Sequence, residues 1–221
     1  MRIRSAIFAV ALIGLLAVPG RADVVLFDQS PTSGQPTNGN QFSITSDRLA
    51  DDFTLANVST VNSLLFYYTA QNPSDLASVS YAIYTNSAGT LGTVLASGTT
   101  SVITRTGQGT NQCGNCSSAA FSITPVPLSG GTYWLELHNG TSLTDTSELE
   151  VDWAAVDDNT TLIAQTDYGS GMKPNMPVGV PGYNQYAFQV IGTTVPEPGT
   201  LVLLALGLSI LIVKARRAAA R

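Results

Sequence analysis

Short segments in which apolar and polar residues alternate recur along the middle of the chain. In residues 132–138, Tyr133, Leu135 and Leu137 fall on one side of an extended chain, and polar or mixed residues fall on the other. Such alternation is typical of β-strands with one buried face. No long segment keeps the apolar period of an amphipathic helix. We predict strands near Val24–Phe27, Asp52–Leu55, Val61–Tyr68, Val79–Tyr84, Thr93–Ser97, Val102–Thr104, Ala119–Thr124, Thr132–His138, Leu149–Trp153 and Tyr186–Ile191.

Many short strands separated by Gly, Asn, Pro and Ser clusters favour an all-β domain. We expect residues 23–194 to form a two-sheet antiparallel sandwich that is jelly-roll-like. Residues 29–46 and 169–184 are rich in polar residues, Gly and Pro, and are predicted to be long loops.

The N-terminal segment has the pattern of a secretory signal peptide. Arg2 and Arg4 precede an uncharged apolar run over residues 6–18. Small residues follow, which predicts a signal helix within residues 1–22 and cleavage between Ala22 and Asp23. An uncleaved anchor helix is the alternative, but the apolar run is short for one.

Charge separates the termini from the middle of the chain. Seven of the ten Lys and Arg residues lie in the two termini, and residues 23–195 hold three basic residues against fourteen acidic ones, a net charge of −11. Phosphate binding needs clustered cations, so this composition argues against a nucleic-acid partner. It fits an exported, solvated surface, and it also fits binding of divalent cations.

The C-terminal segment combines three different features. Pro196 and Pro198 fix their own φ angles and lack backbone donors, so this stretch is expected to be extended. A transmembrane helix is predicted over 199–213, although its thirteen uncharged residues 201–213 would span only about 20 Å of a hydrocarbon core of about 30 Å. The basic tail 214–221 is expected to stay on the cytoplasmic side, with Lys214, Arg216 and Arg217 as a membrane stop.

This order of features resembles the PEP-CTERM sorting signal. Val195-Pro196-Glu197-Pro198 is followed by Gly-Thr, a Leu-rich stretch and Lys-x-Arg-Arg, and the resemblance covers residues 195–221. It implies that Pro196, Glu197 and Pro198 form the recognition motif of an exosortase, which removes the tail. It also implies that the protein is anchored transiently in the inner membrane and ends on the cell surface or in the extracellular matrix. Its host is expected to secrete exopolysaccharide.

A looser likeness extends into the predicted sandwich. Residues 50–55, 131–135 and 186–192 resemble segments that are common in exported PEP-CTERM proteins. This likeness supports the sandwich but implies no ligand.

The two cysteines lie in the sequence Cys113-Gly114-Asn115-Cys116. In an oxidising compartment, and with Gly107 and Gly109 before it and Gly114 within it, this spacing favours a local disulfide that closes a loop. A redox pair or half of a zinc site is the weaker alternative.

Several acidic residues are candidate ligand contacts. Asp51 and Asp52 adjoin a predicted strand, whereas Asp157 and Asp158 lie in a predicted loop. Carboxylates and loop carbonyls suit calcium, but adjacent residues of a strand point to opposite faces, and the EF-hand spacing is missing. We therefore assign no metal and no cofactor, with calcium as the cation to test.

Two further residues bear on binding and catalysis. Trp134 lies opposite the apolar side of its strand and is a candidate sugar-stacking contact. His138 precedes an Asn-Gly turn, so it is expected at a strand end facing solvent rather than in a catalytic triad.

The leading hypothesis is a non-enzymatic surface or matrix protein associated with exopolysaccharide or adhesion. The alternatives are a secreted hydrolase that uses two carboxylates from Glu136, Glu150 and Asp152, and a calcium-dependent carbohydrate-binding module.

Overall fold

The computed structural model describes residues 22–31, 42–107, 116–156, 164–167, 173–174, 185–195, 207–212 and 215–219. Within them the chain forms fifteen β-strands, one 3₁₀ helix at Pro73–Asp75 and short helical stretches at 207–212 and 215–218. The strands are β1 (Val24–Asp28), β2 (Phe42–Ser43), β3 (Arg48–Leu55), β4 (Ser59–Ala70), β5 (Val79–Ser87), β6 (Thr90–Thr100), β7 (Thr104–Thr106), β8 (Ser117–Leu128), β9 (Gly131–Asn139), β10 (Val151–Trp153), β11 (Ala155–Val156), β12 (Gln165–Asp167), β13 (Lys173–Pro174), β14 (Gln185–Tyr186) and β15 (Phe188–Thr194).

The strands form two large antiparallel sheets and one two-stranded antiparallel sheet of β11 and β14. One has six strands in the order β13-β12-β3-β9-β5-β6. The other has seven strands around β4, which pairs with β15 and β8 along most of its length and with β10 at its end. In that sheet β1 lies outside β15, β7 outside β8, and β2 outside β10. The predicted all-β class with antiparallel sheets is confirmed.

Alternating apolar side chains from the two sheets share one core. The Phe53 ring of the six-stranded sheet lies 6.3 Å from the Phe188 ring of the seven-stranded sheet, centroid to centroid. Tyr81 and Phe121 meet across the sheets in the same way, at 5.9 Å. Each large apolar side chain buried here contributes about 1.5–3 kcal/mol relative to an exposed one. The predicted apolar face of β9 supplies part of this core.

Several strand boundaries differ from the prediction. β3 begins at Arg48 rather than Asp52. Its first residues do not alternate between apolar and polar, but they pair with β9, as Leu49 does with Leu137. β6 is longer than predicted, and the predicted loops 29–46 and 169–184 contain the short strands β2 and β13. Leu149, predicted as the first residue of a strand, lies outside β10 and is 65% exposed. These differences arise from pairing between distant segments, which local alternation does not encode.

The two termini are described only in part. The signal segment 1–21 lies outside the described residues, and Ala22 and Asp23 are exposed. Residues 207–212 and 215–218 are helical and exposed, including Arg216 and Arg217, whereas Lys214 is not described. Among the described residues, no helix combines the length and apolar character needed to cross a membrane.

Candidate functional site

The chain leaves the sandwich at the start of the predicted sorting motif. β15 ends at Thr194, which pairs with Ser59 of β4. The next backbone N–H, of Val195, donates to the carbonyl oxygen of Val58 at 2.8 Å. Pro196, Glu197 and Pro198 lie outside the described residues. The motif therefore follows directly on Val195, whose N–H bonds to the domain.

A buried ion pair crosses three strands of the six-stranded sheet. Arg48 of β3 donates from Nε to Glu136 Oε1 at 2.6 Å and from Nη2 to Glu136 Oε2 at 3.0 Å. The Tyr84 hydroxyl of β5 also donates to Glu136 Oε2. Burial raises the pKa of Tyr84, and its hydrogen bond to Glu136 adds to this effect. Since both oxygens of Glu136 already accept hydrogen bonds, this carboxylate is a structural tie and a poor candidate for proton transfer.

Trp134 is buried, which corrects the expectation of an accessible stacking surface. Its side chain is 0% exposed and clusters with Ala50 and Ala82. Leu91 and Leu143 pack against this cluster. The indole Nε1 of Trp134 donates a hydrogen bond to Asn86 Oδ1 at 3.1 Å. The second face of the sheet is therefore covered at this position.

The expectation that His138 faces solvent is wrong. His138 is 1% exposed, and the next residue, Asn139, is fully buried. The Asn139 N–H donates to the Ile44 carbonyl oxygen at 2.7 Å, and its side-chain Nδ2 donates to the Leu149 carbonyl oxygen at 2.8 Å. These bonds draw the strand end into the protein, and burial lowers the pKa of His138. The predicted turn is present, since Gly140 has a φ of 134°.

Asp51 lies on the buried face of β3, where its carboxylate bonds to segments outside the six-stranded sheet. Its Oδ2 accepts from the Tyr186 N–H at 2.5 Å and from Gln29 Nε2 at 2.9 Å, and its Oδ1 accepts from the Asp52 N–H at 2.9 Å. The side chain is fully buried, and this burial raises its pKa well above the usual value. Asp51 therefore joins β3 to β14 and to Gln29, which follows β1, and its carboxylate is enclosed by the protein.

The other acidic candidates do not gather around Asp51. Asp52 points to the opposite face and is half-buried, as the strand argument predicted. Asp157 and Asp158 lie outside the described residues. In the part of the chain that the structure describes, no three His, Cys, Asp or Glu residues lie close enough to hold a metal ion.

A pocket beside β10 brings two of the candidate carboxylates together. Glu150 and Asp152 line it with Thr69, Ala70 and Gln71, and its volume is ≈ 300 Å³. Asp152 pairs across the strands with Thr69. Burial raises the pKa of Asp152, and the nearby Glu150 charge raises it further. Two carboxylates with different environments could serve as an acid and a base, or contact a cation.

The predicted disulfide remains a prediction. Cys116 is fully buried directly before β8, and Cys113 lies outside the described residues.

Sequence reasoning missed the partners of Glu136, although a signal was present. A glutamate between leucines in a strand needs a cation if that face is buried. Residues 23–195 offer only Arg48, Arg105 and Lys173. The partner of Glu136 therefore had to be one of three residues. The structure shows that it is Arg48, whereas Arg105 donates to the Leu76 carbonyl oxygen.

Comparison with known proteins gives one match, to a family of sorting motifs at the C-terminal end. No curated protein matches the chain. Residues 194–218 match the family described as the PEP-CTERM protein-sorting motif. This match supports sorting by an exosortase to the cell surface, with C-terminal membrane anchoring before processing. It begins at the last residue of β15 and includes the helical residues 207–212. The C-terminal end of this chain thus matches the PEP-CTERM protein-sorting motif and follows an antiparallel β domain.

Proposed function

We propose that this chain is an exported cell-surface or extracellular-matrix protein whose jelly-roll-like β-sandwich acts without catalysis in adhesion or exopolysaccharide association. One observation carries the proposal: the sorting motif matched over residues 194–218 starts where the folded domain ends. In this scheme the signal peptide 1–22 directs export, and the exosortase acts at Pro196, Glu197 and Pro198.

The position of the motif favours processing without damage to the fold. β15 pairs with both β1 and β4, and its pairing ends at Thr194. Cleavage close to Pro198 would leave all fifteen described strands intact. The short helix at 199–213, about 20 Å long, would hold the protein only until this cleavage, while the basic tail 214–221 stays in the cytoplasm.

The environments of two candidate carboxylates argue against a catalytic role for them. Glu136 is held by Arg48 and Tyr84, and Asp51 is enclosed by the protein. In the proposed mature protein, a disulfide between Cys113 and Cys116 closes the loop before β8.

A motif variant tests the sorting proposal. In the native host, a Pro196→Ala/Pro198→Ala variant should remain in the inner-membrane fraction, whereas the wild type reaches the cell surface. Pro125→Ala is the matched control, because Pro125 is an exposed proline of β8 outside the motif. Equal surface delivery of the motif variant would refute the proposal.

Binding to exopolysaccharide from the host tests the role of the sandwich. We expect the mature protein to co-sediment with that polysaccharide and to leave its chain length unchanged. Failure to co-sediment would argue against exopolysaccharide association, without affecting the sorting proposal.

A secreted hydrolase is the second candidate, favoured by the shared pocket of Glu150 and Asp152. Hydrolysis of any glycan in a panel, abolished by Glu150→Gln or Asp152→Asn, would establish it. The absence of turnover across the panel would count against it.

A further inference from the structure

β6 is a long strand at the edge of the six-stranded sheet. It has eleven residues and pairs with β5 on one side. Among the described residues, no strand pairs with its other side. An open edge presents backbone donors and acceptors that fit another β-strand.

The composition of β6 leaves this edge unprotected. Natural edge strands usually carry charges or proline, which block pairing with other chains. Residues 76–104 contain no charged residue, no histidine and no proline. Val94 is 49% exposed and Leu95 is 43% exposed within β6, and Val102, two residues beyond its end, is 82% exposed.

The regular part of the ladder is long enough to accept a partner strand. The register with β5 is irregular close to Val94 and Leu95, toward the hairpin turn. From Ala96 to Thr100 the pairing is continuous with Val79–Ile83. Five consecutive regular residues match the usual length of a β-strand.

Charge selects a second copy of this chain as the occupant. Residues 76–135 contain a single charged residue, Arg105, whose guanidinium donates to the Leu76 and Ile103 carbonyl oxygens. The rest of residues 23–195 holds two basic and fourteen acidic residues. Two copies would repel each other through their acidic surfaces, and the β6 edge lies in the neutral part.

We infer that two copies of this protein associate through β6. Antiparallel pairing of the same strand is self-complementary, so it generates a closed two-fold dimer in which the two six-stranded sheets become one. This inference goes beyond the proposed function and does not depend on processing of the tail.

Sedimentation velocity of the protein from its native host, in the same processed form for every variant, tests the dimer. We expect Val94→Lys and Ser97→Lys, both at exposed positions of β6, to raise the dimer dissociation constant at least about tenfold, because each variant adds two positive charges to a strand pair that otherwise holds none. Val58→Lys is the matched control: Val58 is 50% exposed, against 49% for Val94, and lies outside β6. All three variants reduce the net negative charge equally, so only a contact at β6 separates them.

Salt gives an independent readout that does not rely on variants. Added NaCl screens the repulsion between the acidic surfaces, so the wild-type dimer should tighten as salt rises. Circular dichroism identifies any variant that fails to fold. If one β6 variant fails to fold, the dissociation constant of the other β6 variant tests the dimer. A monomeric wild type, or equal weakening by Val58→Lys, would overturn the inference.

Discussion

Replacement of Arg48 by Met tests whether the buried ion pair is structural. The Glu136 side chain is 0% exposed and the Arg48 side chain is 34% exposed. The variant would leave the Glu136 carboxylate buried, with the Tyr84 hydroxyl as its remaining donor from this network. Removing one partner of a buried pair costs about 3–5 kcal/mol. Because water reaches part of the Arg48 side chain, we expect a loss of about 3 kcal/mol, near the lower limit of that range.

Urea unfolding followed by circular dichroism measures this loss. For a domain of this size, about 3 kcal/mol corresponds to a fall in melting temperature of about 6–12 °C. The double variant Arg48→Met/Glu136→Met removes both charges and should regain at least about 1 kcal/mol relative to Arg48→Met alone.

The reasoning would be refuted by either of two results. A change below about 1 kcal/mol in Arg48→Met would show that water or another cation satisfies Glu136. A double variant that is less stable than Arg48→Met would show that the Glu136 side chain contributes through packing rather than through its charge.

Further predictions concern the core, pH and calcium. Trp153→Ala should lower the free energy of unfolding by about 3–5 kcal/mol, whereas Val102→Ala at an exposed position should change it by less than about 0.5 kcal/mol; equal losses in urea melts would contradict the assigned burial. The raised pKa of Asp51 means that the folded state holds its proton more tightly than the unfolded state, so its contribution to stability should be full below about pH 4 and decline as pH rises through the folded pKa. Asp51→Asn should remove that slope from melts recorded across pH, and an unchanged slope would exclude Asp51 as its source. If Glu150 and Asp152 formed a calcium site, calcium would raise the melting temperature and Asp152→Asn would abolish the rise; we expect no rise, and a rise would favour the calcium-dependent module.

Alternation in the sequence predicted much of the core. In β9 it placed Leu135 and Leu137 on one buried face, and in β3 it placed Asp51 and Asp52 on opposite faces. These results follow from the two-residue period of a strand, which is a local property of the chain. The sorting motif was equally accessible, because it depends on a short contiguous sequence.

The segments that cover the second face of a sheet could not be predicted from alternation. Trp134 and His138 occupy the second face of β9, and the alternation alone suggested that this face met solvent. Leu91 and Leu143 pack against the cluster of Trp134, and Asn139 ties the strand end inward. Such coverage depends on where distant segments return, so it is a property of the tertiary fold. The pairing of Arg48 with Glu136 was missed for the same reason.

The intact mass of the mature protein from its native host tests the central claim most directly. The account predicts loss of the signal peptide and a new C-terminus close to Pro198, so the protein should be clearly smaller than the 23.1 kDa of the full chain. Deletion of the exosortase should restore the C-terminal residues. A mature protein that still ends at Arg221 in the presence of the exosortase would contradict the account.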